Sequence, residues 1–409
     1  MKWDLLLKSA EHHRLLPALN RSFGALGVPQ FVRNSARTHA WRAMSLTAEL
    51  ARISHHFDQR KVQFLAHKGP AIAQLLYGDP TMRQFGDLDL LVRPKDVSRA
   101  RTALIELGYE PQLRLTAIQE KAHLRSGYEH VFGLDSDRHL VELQWQIVPR
   151  FYSVGFEIEN LFRRSMEIEV DSVAMRILGR EDLLLVLCVH AAKHGWSQLG
   201  MLRDISTLAQ SDLDWEWTLR EARRLGILKV LQVSLLAACE LFDLNVPEIV
   251  RWNNAISGVP ETTAQLIWNL ESCNERDIES IRYFRDQIGL RERWRDRARI
   301  LWRLTTTPSV AEWRMVRLPD RLQGLYRAVR IARLMKRLLN AAAGIRKSFS
   351  RKSHQPARAR GNSNGPAAPT PRGENPAAAP LLSSTEILPG CKNVRSADGR
   401  ARAANIGRR

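Results

Sequence analysis

The chain has 409 residues, 44% of them hydrophobic, which suffices for a folded core and suggests two or three domains rather than one. No apolar run approaches the roughly 20 residues that a membrane-spanning helix needs. Four cysteines (Cys188, Cys239, Cys273, Cys391) lie far apart without C-x-x-C spacing, which argues against a disulfide or cysteine-based zinc framework. With a first segment, MKWDLLLKSAEHHR, that lacks the apolar stretch of a signal peptide, this predicts a cytoplasmic protein.

From Asp4 to about Arg60 the pattern is helical, with Leu5, Leu6, Leu15, Leu16, Leu19, Leu46, Leu50 and Ile53 facing inward. His12–His13 and His55–His56 are adjacent pairs. Neighbours on a helix do not share a face, so they read as surface residues rather than metal clamps.

Val62 to Ala66 is short and apolar, as a buried strand is. The turn His67-Lys68-Gly69 follows, where Gly69 permits backbone angles closed to other residues. Pro70 suits a first helical position, and Ile72, Leu75 and Leu76 carry a helix to Tyr77 and Gly78 before Asp79-Pro80 ends it. In Asp87-Leu88-Asp89-Leu90-Leu91-Val92 the two acids point to the same face of a strand. Two carboxylates side by side on a strand built for burial repel each other and lose hydration. A divalent cation removes both penalties, and Mg²⁺ favours a few carboxylates plus substrate phosphates. The alternative is a strand edge whose acids face water.

Val97 to Leu107 reads as a helix closed by Gly108, and Tyr109 to Leu113 as a returning strand. Two further strands, His130 to Leu134 and Leu140 to Ile147, flank a turn at Asp135-Ser136-Asp137-Arg138. On the second, Val141, Leu143 and Trp145 share one face, and Leu140, Glu142 and Gln144 the other. Glu181 to Gly195 is a helix with acids in its first turn and glycine at its end. Its buried stripe is Leu184, Leu187, Cys188 and Ala191, while His190, Lys193 and His194 share another face. Ala191 stands where H-E-x-x-H needs its glutamate, which excludes a zinc protease of that type. Asp204, further on, is placed to orient one of these groups.

Helices continue from Trp215 to Leu304, with Leu219, Leu225, Leu228, Leu231 and Leu235 as core candidates. Arg282 to Arg303 is dense in arginine and tryptophan. Trp313 to Leu339 reads as basic amphipathic helix interrupted at Pro319, either a solvated outer face or a stripe for a membrane surface or RNA. Residues 346–409 hold 13 Lys/Arg against 3 Asp/Glu, so about half of the formal net charge of +19 sits there. Their Ala/Pro/Gly/Ser/Arg composition predicts disorder. Such a tail is either an expendable extension or a weak, unspecific contact for nucleic acid or an anionic membrane.

The strand, glycine turn, helix and D-x-D strand together resemble the nucleotidyltransferase superfamily related to DNA polymerase beta. More narrowly, KGPAIAQLLYGDP, MRQFGDLDLLV, VELQW and HAAKHGW resemble a mostly uncharacterised branch of bacterial nucleotidyltransferases, in which Lys-Gly replaces the usual Gly-Gly or Gly-Ser. The likeness runs to about residue 340. It implies an α/β (α+β) fold: a small mixed-sheet core (61–170) between an N-terminal helical region (1–60) and a helical domain (171–345), before the tail (346–409). It also implies transfer of a nucleotidyl group from an NTP, ATP above all, to a hydroxyl acceptor on a protein, sugar, RNA or small metabolite. In such a site Asp87 and Asp89 hold two Mg²⁺ ions, about 3.5–4 Å apart. Glu142 fits the third acid in order and period; otherwise it is a solvent-facing glutamate. Gly69 lets the backbone approach the phosphates, with Lys68 and Arg83 as phosphate contacts. The resemblance lays the helix of His190, Lys193 and His194 over the nucleotide; otherwise those side chains pack against neighbours. The rival reading is a binding protein that kept this fold, lost turnover, and holds nucleic acid, membrane or a protein partner. A phosphotransferase using the same metal pair is a third.

Overall fold

The computed structural model describes residues 2–23, 27–134, 139–247, 257–271, 281–308, 310–316 and 318–336. The expected turn at 135–138 and the basic tail lie outside them. Contacts divide the chain into two units, Met1–Lys347 and Ser348–Arg409, and the described residues belong to the first.

Helices α1 (Trp3–His12), α2 (Leu16–Phe23) and α3 (Gln30–Gln59) open the chain. On α3, Ala43, Leu46, Leu50, Ile53 and Phe57 recur every three or four residues and are buried, as one helical face requires. Leu5, expected inside, is 57% exposed because α1 packs through Leu6 and Leu7 instead. His13 is not a surface residue either: it is buried in the turn that follows α1.

The sheet is built from β1 (Phe64–Ala66), followed by α4 (Gly69–Tyr77), then β2 (Asp87–Val92) and α5 (Val97–Glu106). After it come β3 (Glu110–Pro111), α6 (Ala117–Ser126), β4 (Glu129–Leu134) and β5 (His139–Gln144). The spatial order is β1-β2-β5-β4-β3. β2 and β5 run parallel, and the other neighbours antiparallel, so the sheet is mixed. The expected strand at 109–113 shrinks to two residues, since Pro111 has no N–H for the ladder.

Residue parity assigns the sheet its two faces. Leu88, Leu90 and Val92 of β2, with Val141 and Leu143 of β5, join one core with Leu46, Leu50 and Ile53 of α3 and Ala100 and Leu104 of α5. Each such leucine, isoleucine or valine contributes about 1.5–3 kcal/mol when fully buried. Leu91, of opposite parity, joins the core of the helical region instead. Asp87 and Asp89 share Leu91's parity, so the acids face that region.

The chain then forms α7 (Ile158–Arg163) and a hairpin, β6 (Met166–Val170) and β7 (Val173–Ile177), whose turn residues Asp171 and Ser172 both have positive φ. Next come α8 (Arg180–Lys193), α9 (Leu199–Ala209), α10 (Trp215–Leu225) and α11 (Leu228–Phe242). α12 (Val259–Glu271), α13 (Ile281–Gly289), α14 (Trp294–Thr306) and α15 (Val310–Met315) follow. A 3₁₀ segment, Asp320–Leu325, and a helix over 326–336 come after the break at Pro319. Leu219, Leu225, Leu228, Leu231 and Leu235 are all in the core. α8 is apolar nearly all round and is the central helix of this region. Among the described residues no helix is long and apolar enough to cross a membrane.

Candidate active site

Parallel pairing of β2 with β5 sets Asp89 beside Glu142 and Asp87 beside Leu140. Carboxylate oxygens of Asp87, Asp89 and Glu142 consequently lie within 4.8 Å of one another. Three hard oxygen donors this close, on rigid strands, fit a Mg²⁺-type ion. The structure thus brings together the three acids singled out in the sequence.

Gln144, two residues past Glu142 on the same face, clamps the cluster. Its amide donates to Asp89 Oδ1 at 2.9 Å and to Glu142 Oε2 at 2.8 Å. Glu129, the first residue of β4, and Tyr128 just before it join from the next strand, where Glu129 pairs in register with Gln144. Sequence reasoning gave neither Gln144 nor Glu129 a role. Period-two parity beside Glu142 was the available signal for Gln144, while Glu129 depends on β4–β5 register.

Burial pushes the Glu142 carboxyl up to about 9, aided by Asp89 and Glu129. Asp87 is also raised, by burial and then by Asp89. Burial acts upward on Asp89 too, but Lys68 and His67 outweigh it and hold this carboxyl down at about 2. The cluster therefore has one firmly ionised member, Asp89, and one, Glu142, that holds a proton at neutral pH when no cation is present.

Lys68 Nζ donates to Asp89 Oδ1 at 2.7 Å. Burial works against the ammonium, yet Asp89, Glu142 and Asp87 together leave it above its ordinary value. The next residue, Gly69, has φ +64, and a Cβ there would sit 3.3 Å from the Asp87 carbonyl oxygen. A glycine is what lets the start of α4 come this close to β2.

Arg83 Nε donates to Asp204 Oδ2 at 2.7 Å, and the Tyr77 hydroxyl donates to Asp204 Oδ1 at 2.7 Å. Asp204 thus orients Arg83 and Tyr77, not the His190–Lys193–His194 group expected from the sequence, because α9 turns it toward α4. Arg83 and His190 line one cavity with Arg14, Gln84, Arg203 and Asp204. On α8, the His190 and His194 rings are 4.6 Å apart. Burial, reinforced by Lys68 and nearby cations, depresses both, His194 to about 3, so both are neutral donors or acceptors at pH 7. Lys193 lies over the Tyr128 ring and bonds its hydroxyl at 3.3 Å. Burial lowers it, while Glu129 and Glu142 pull it back.

A mixed sheet with a strand–glycine turn–helix unit, two acids on the following strand and a third on its parallel neighbour has the organisation of a nucleotidyltransferase. The chain belongs to the uncharacterised nucleotidyltransferase family, whose model matches residues 1–243. That span takes in the N-terminal helices, the sheet and α8 to α11. A crystal structure of an antigenic nucleotidyltransferase-like protein from Paracoccidioides brasiliensis is 14% identical, aligned over 51% of this chain and 97% of that one, with a TM-score of 0.34. No curated protein matches the chain.

Proposed function

We propose that the protein transfers a nucleotidyl group from an NTP, ATP being the first to test, to a hydroxyl acceptor, with Mg²⁺ at Asp87, Asp89 and Glu142. The observation that supports this best is the convergence of the three carboxylates on one sheet face, beside a glycine turn and the Lys68 ammonium. A protein that only binds gains nothing from clustering acids that raise one another's pKa. Bound Mg²⁺ supplies charge neutralisation at phosphate oxygens and lowers the pKa of an acceptor hydroxyl.

The remaining work falls to side chains. Gln144 fixes the angle of Asp89 and Glu142, and Lys68 keeps Asp89 ionised. The N-terminus of α4, opened by Gly69, presents backbone N–H groups of the kind that bind phosphate. Arg83, held by Asp204, offers a planar fork to phosphate oxygens. Neutral His190 and His194 and the cation of Lys193 supply donors from the side of α8. Glu142, deprotonated once a cation is bound, would accept the proton of the attacking hydroxyl.

The test is pyrophosphate release with Mg²⁺ and each NTP, with lysate fractions as acceptor source, beside the affinity for a non-hydrolysable NTP analogue. Glu142→Gln is expected to keep analogue affinity and to lose turnover by about 10²–10⁴-fold, the mark of an interaction made in the transition state. Equal release by the mutant would remove Glu142 from this role. No release by wild type from any combination would leave a binding protein that kept the fold.

A further inference from the structure

α1 and α2 meet in a turn where Arg14 has φ +56. A non-glycine residue in this conformation is strained and persists only where its surroundings fix it. Here they do. The His13 carbonyl accepts the Gly200 N–H of α9 at 2.9 Å, and the Leu16 N–H donates to Gln84 Oε1 at 2.9 Å. Gly200 suits this contact: a Cβ there would lie 3.0 Å from His13 O and 3.1 Å from both Arg14 Cβ and Arg14 O. Two of those three neighbours are backbone atoms of a pinned turn and have little room to give.

The docked turn sets Arg14, an exposed residue, on the lining of the cavity of Arg83, His190, Arg203 and Asp204. The other two arginines there are committed. Arg83 is paired with Asp204. Arg203 lies over the Tyr77 ring at 4.3 Å and bonds the Met82 carbonyl at 3.3 Å. The Arg14 guanidinium has no hydrogen-bond or ion-pair partner among the described residues. Its electrostatic neighbours are Arg83, Asp87, Asp204 and Asp89. Once Asp87 and Asp89 serve a divalent cation and Asp204 serves Arg83, the anion left for Arg14 is one brought by a ligand.

We propose that Arg14 is a phosphate-binding residue, carried to the acid cluster by the α1–α2 turn and directed at the triphosphate of the NTP. The guanidinium fork matches phosphate oxygens in pairs. The identity of the ligand rests on the nucleotidyl-transfer reading; the anion site does not. On this view the N-terminal helices are part of the binding site, and Gly200 is the positioning residue that seats them.

The experiment is titration calorimetry of wild type, Arg14→Ala, Arg14→Lys and Gly200→Ala with three probes: Mg²⁺ with α,β-methylene-ATP, inorganic tripolyphosphate, and Mn²⁺ alone. Arg14→Ala is expected to weaken the first two by roughly 10–100-fold, as loss of charge-assisted hydrogen bonds does. Arg14→Lys should recover part of the loss, Gly200→Ala should weaken the same two probes, and Mn²⁺ affinity should fall in none of the variants, since removing a cation near Asp87 and Asp89 can only favour a metal ion there. Circular dichroism and melting show whether each variant is folded. Arg14→Ala that binds both phosphate probes as tightly as wild type overturns the inference and leaves nucleotidyl transfer standing. Arg14-dependent binding of tripolyphosphate without any binding of the nucleotide analogue supports the anion site and overturns the nucleotide reading. Wild type that binds neither overturns both.

Discussion

At Glu142 the fold holds a proton that the unfolded chain releases. The carboxyl rises from 4.5 to about 9 through burial, Asp89 and Glu129. Between those values the folded state binds more protons than the unfolded one, so raising the pH through this window destabilises the metal-free protein. One such proton gives a slope of up to about 1.4 kcal/mol per pH unit. Urea denaturation at a series of pH values should show this decline, and Glu142→Gln should flatten it. Identical slopes in both proteins would mean that another group carries the proton. Asp89 acts in the opposite sense: held at about 2 by Lys68 and His67 against burial, it stabilises the fold above 3.8 and that contribution is lost as pH falls toward 2.

At the scale of elements, the unit that matters is β1, the Gly69 turn, α4 and β2. Gly69 meets the carbonyl of Asp87 at a distance that leaves no comfortable place for a Cβ, and its φ is +64. Gly69→Ala is expected to destabilise the protein by about 1–2 kcal/mol through the left-handed backbone alone. It should also weaken Mn²⁺ binding, because the displaced turn presses on the residue that carries one of the three acids. Chemical denaturation and metal titration of this variant read the two effects separately. Unchanged Mn²⁺ affinity with reduced stability would show that the turn supports the strand without setting the acids. α8 is the second such element: its buried stripe anchors it, which leaves His190, Lys193 and His194 on the side of the acids.

For the whole molecule, charge is divided between body and tail. Residues 346–409 carry 13 of the 62 Lys/Arg and 3 of the 43 Asp/Glu. Their Ala/Pro/Gly/Ser/Arg composition offers little apolar area to bury. Truncation after Ile345 is therefore expected to leave the melting midpoint unchanged and to weaken unspecific binding to polyanions or anionic vesicles, most of all at low salt. A clear drop in the midpoint would show that the tail contributes to the stability of the body.

The sequence by itself determined the local chemistry. Alternation placed Asp87 and Asp89 on one face, and Glu142 and Gln144 on one face, because strand parity is a property of neighbouring residues. Glycine and proline marked the Lys68–Gly69 turn and the end of α4, because backbone permission is local as well. Helical spacing put His190, Lys193 and His194 together. Even the hairpin turn at Asp171–Ser172, passed over in the sequence, was written in local residues. What only tertiary structure decided is which faces meet. The parallel register of β2 and β5 set Asp89 against Glu142, and the β4–β5 register brought Glu129 beside Gln144. The packing of α9 gave Asp204 to Arg83 and Tyr77. The docking of a turn from the first helices onto Gly200 delivered Arg14 across 73 positions to Asp87. Such pairings join residues far apart in the chain, and their energy lies in contacts that no stretch of sequence contains alone.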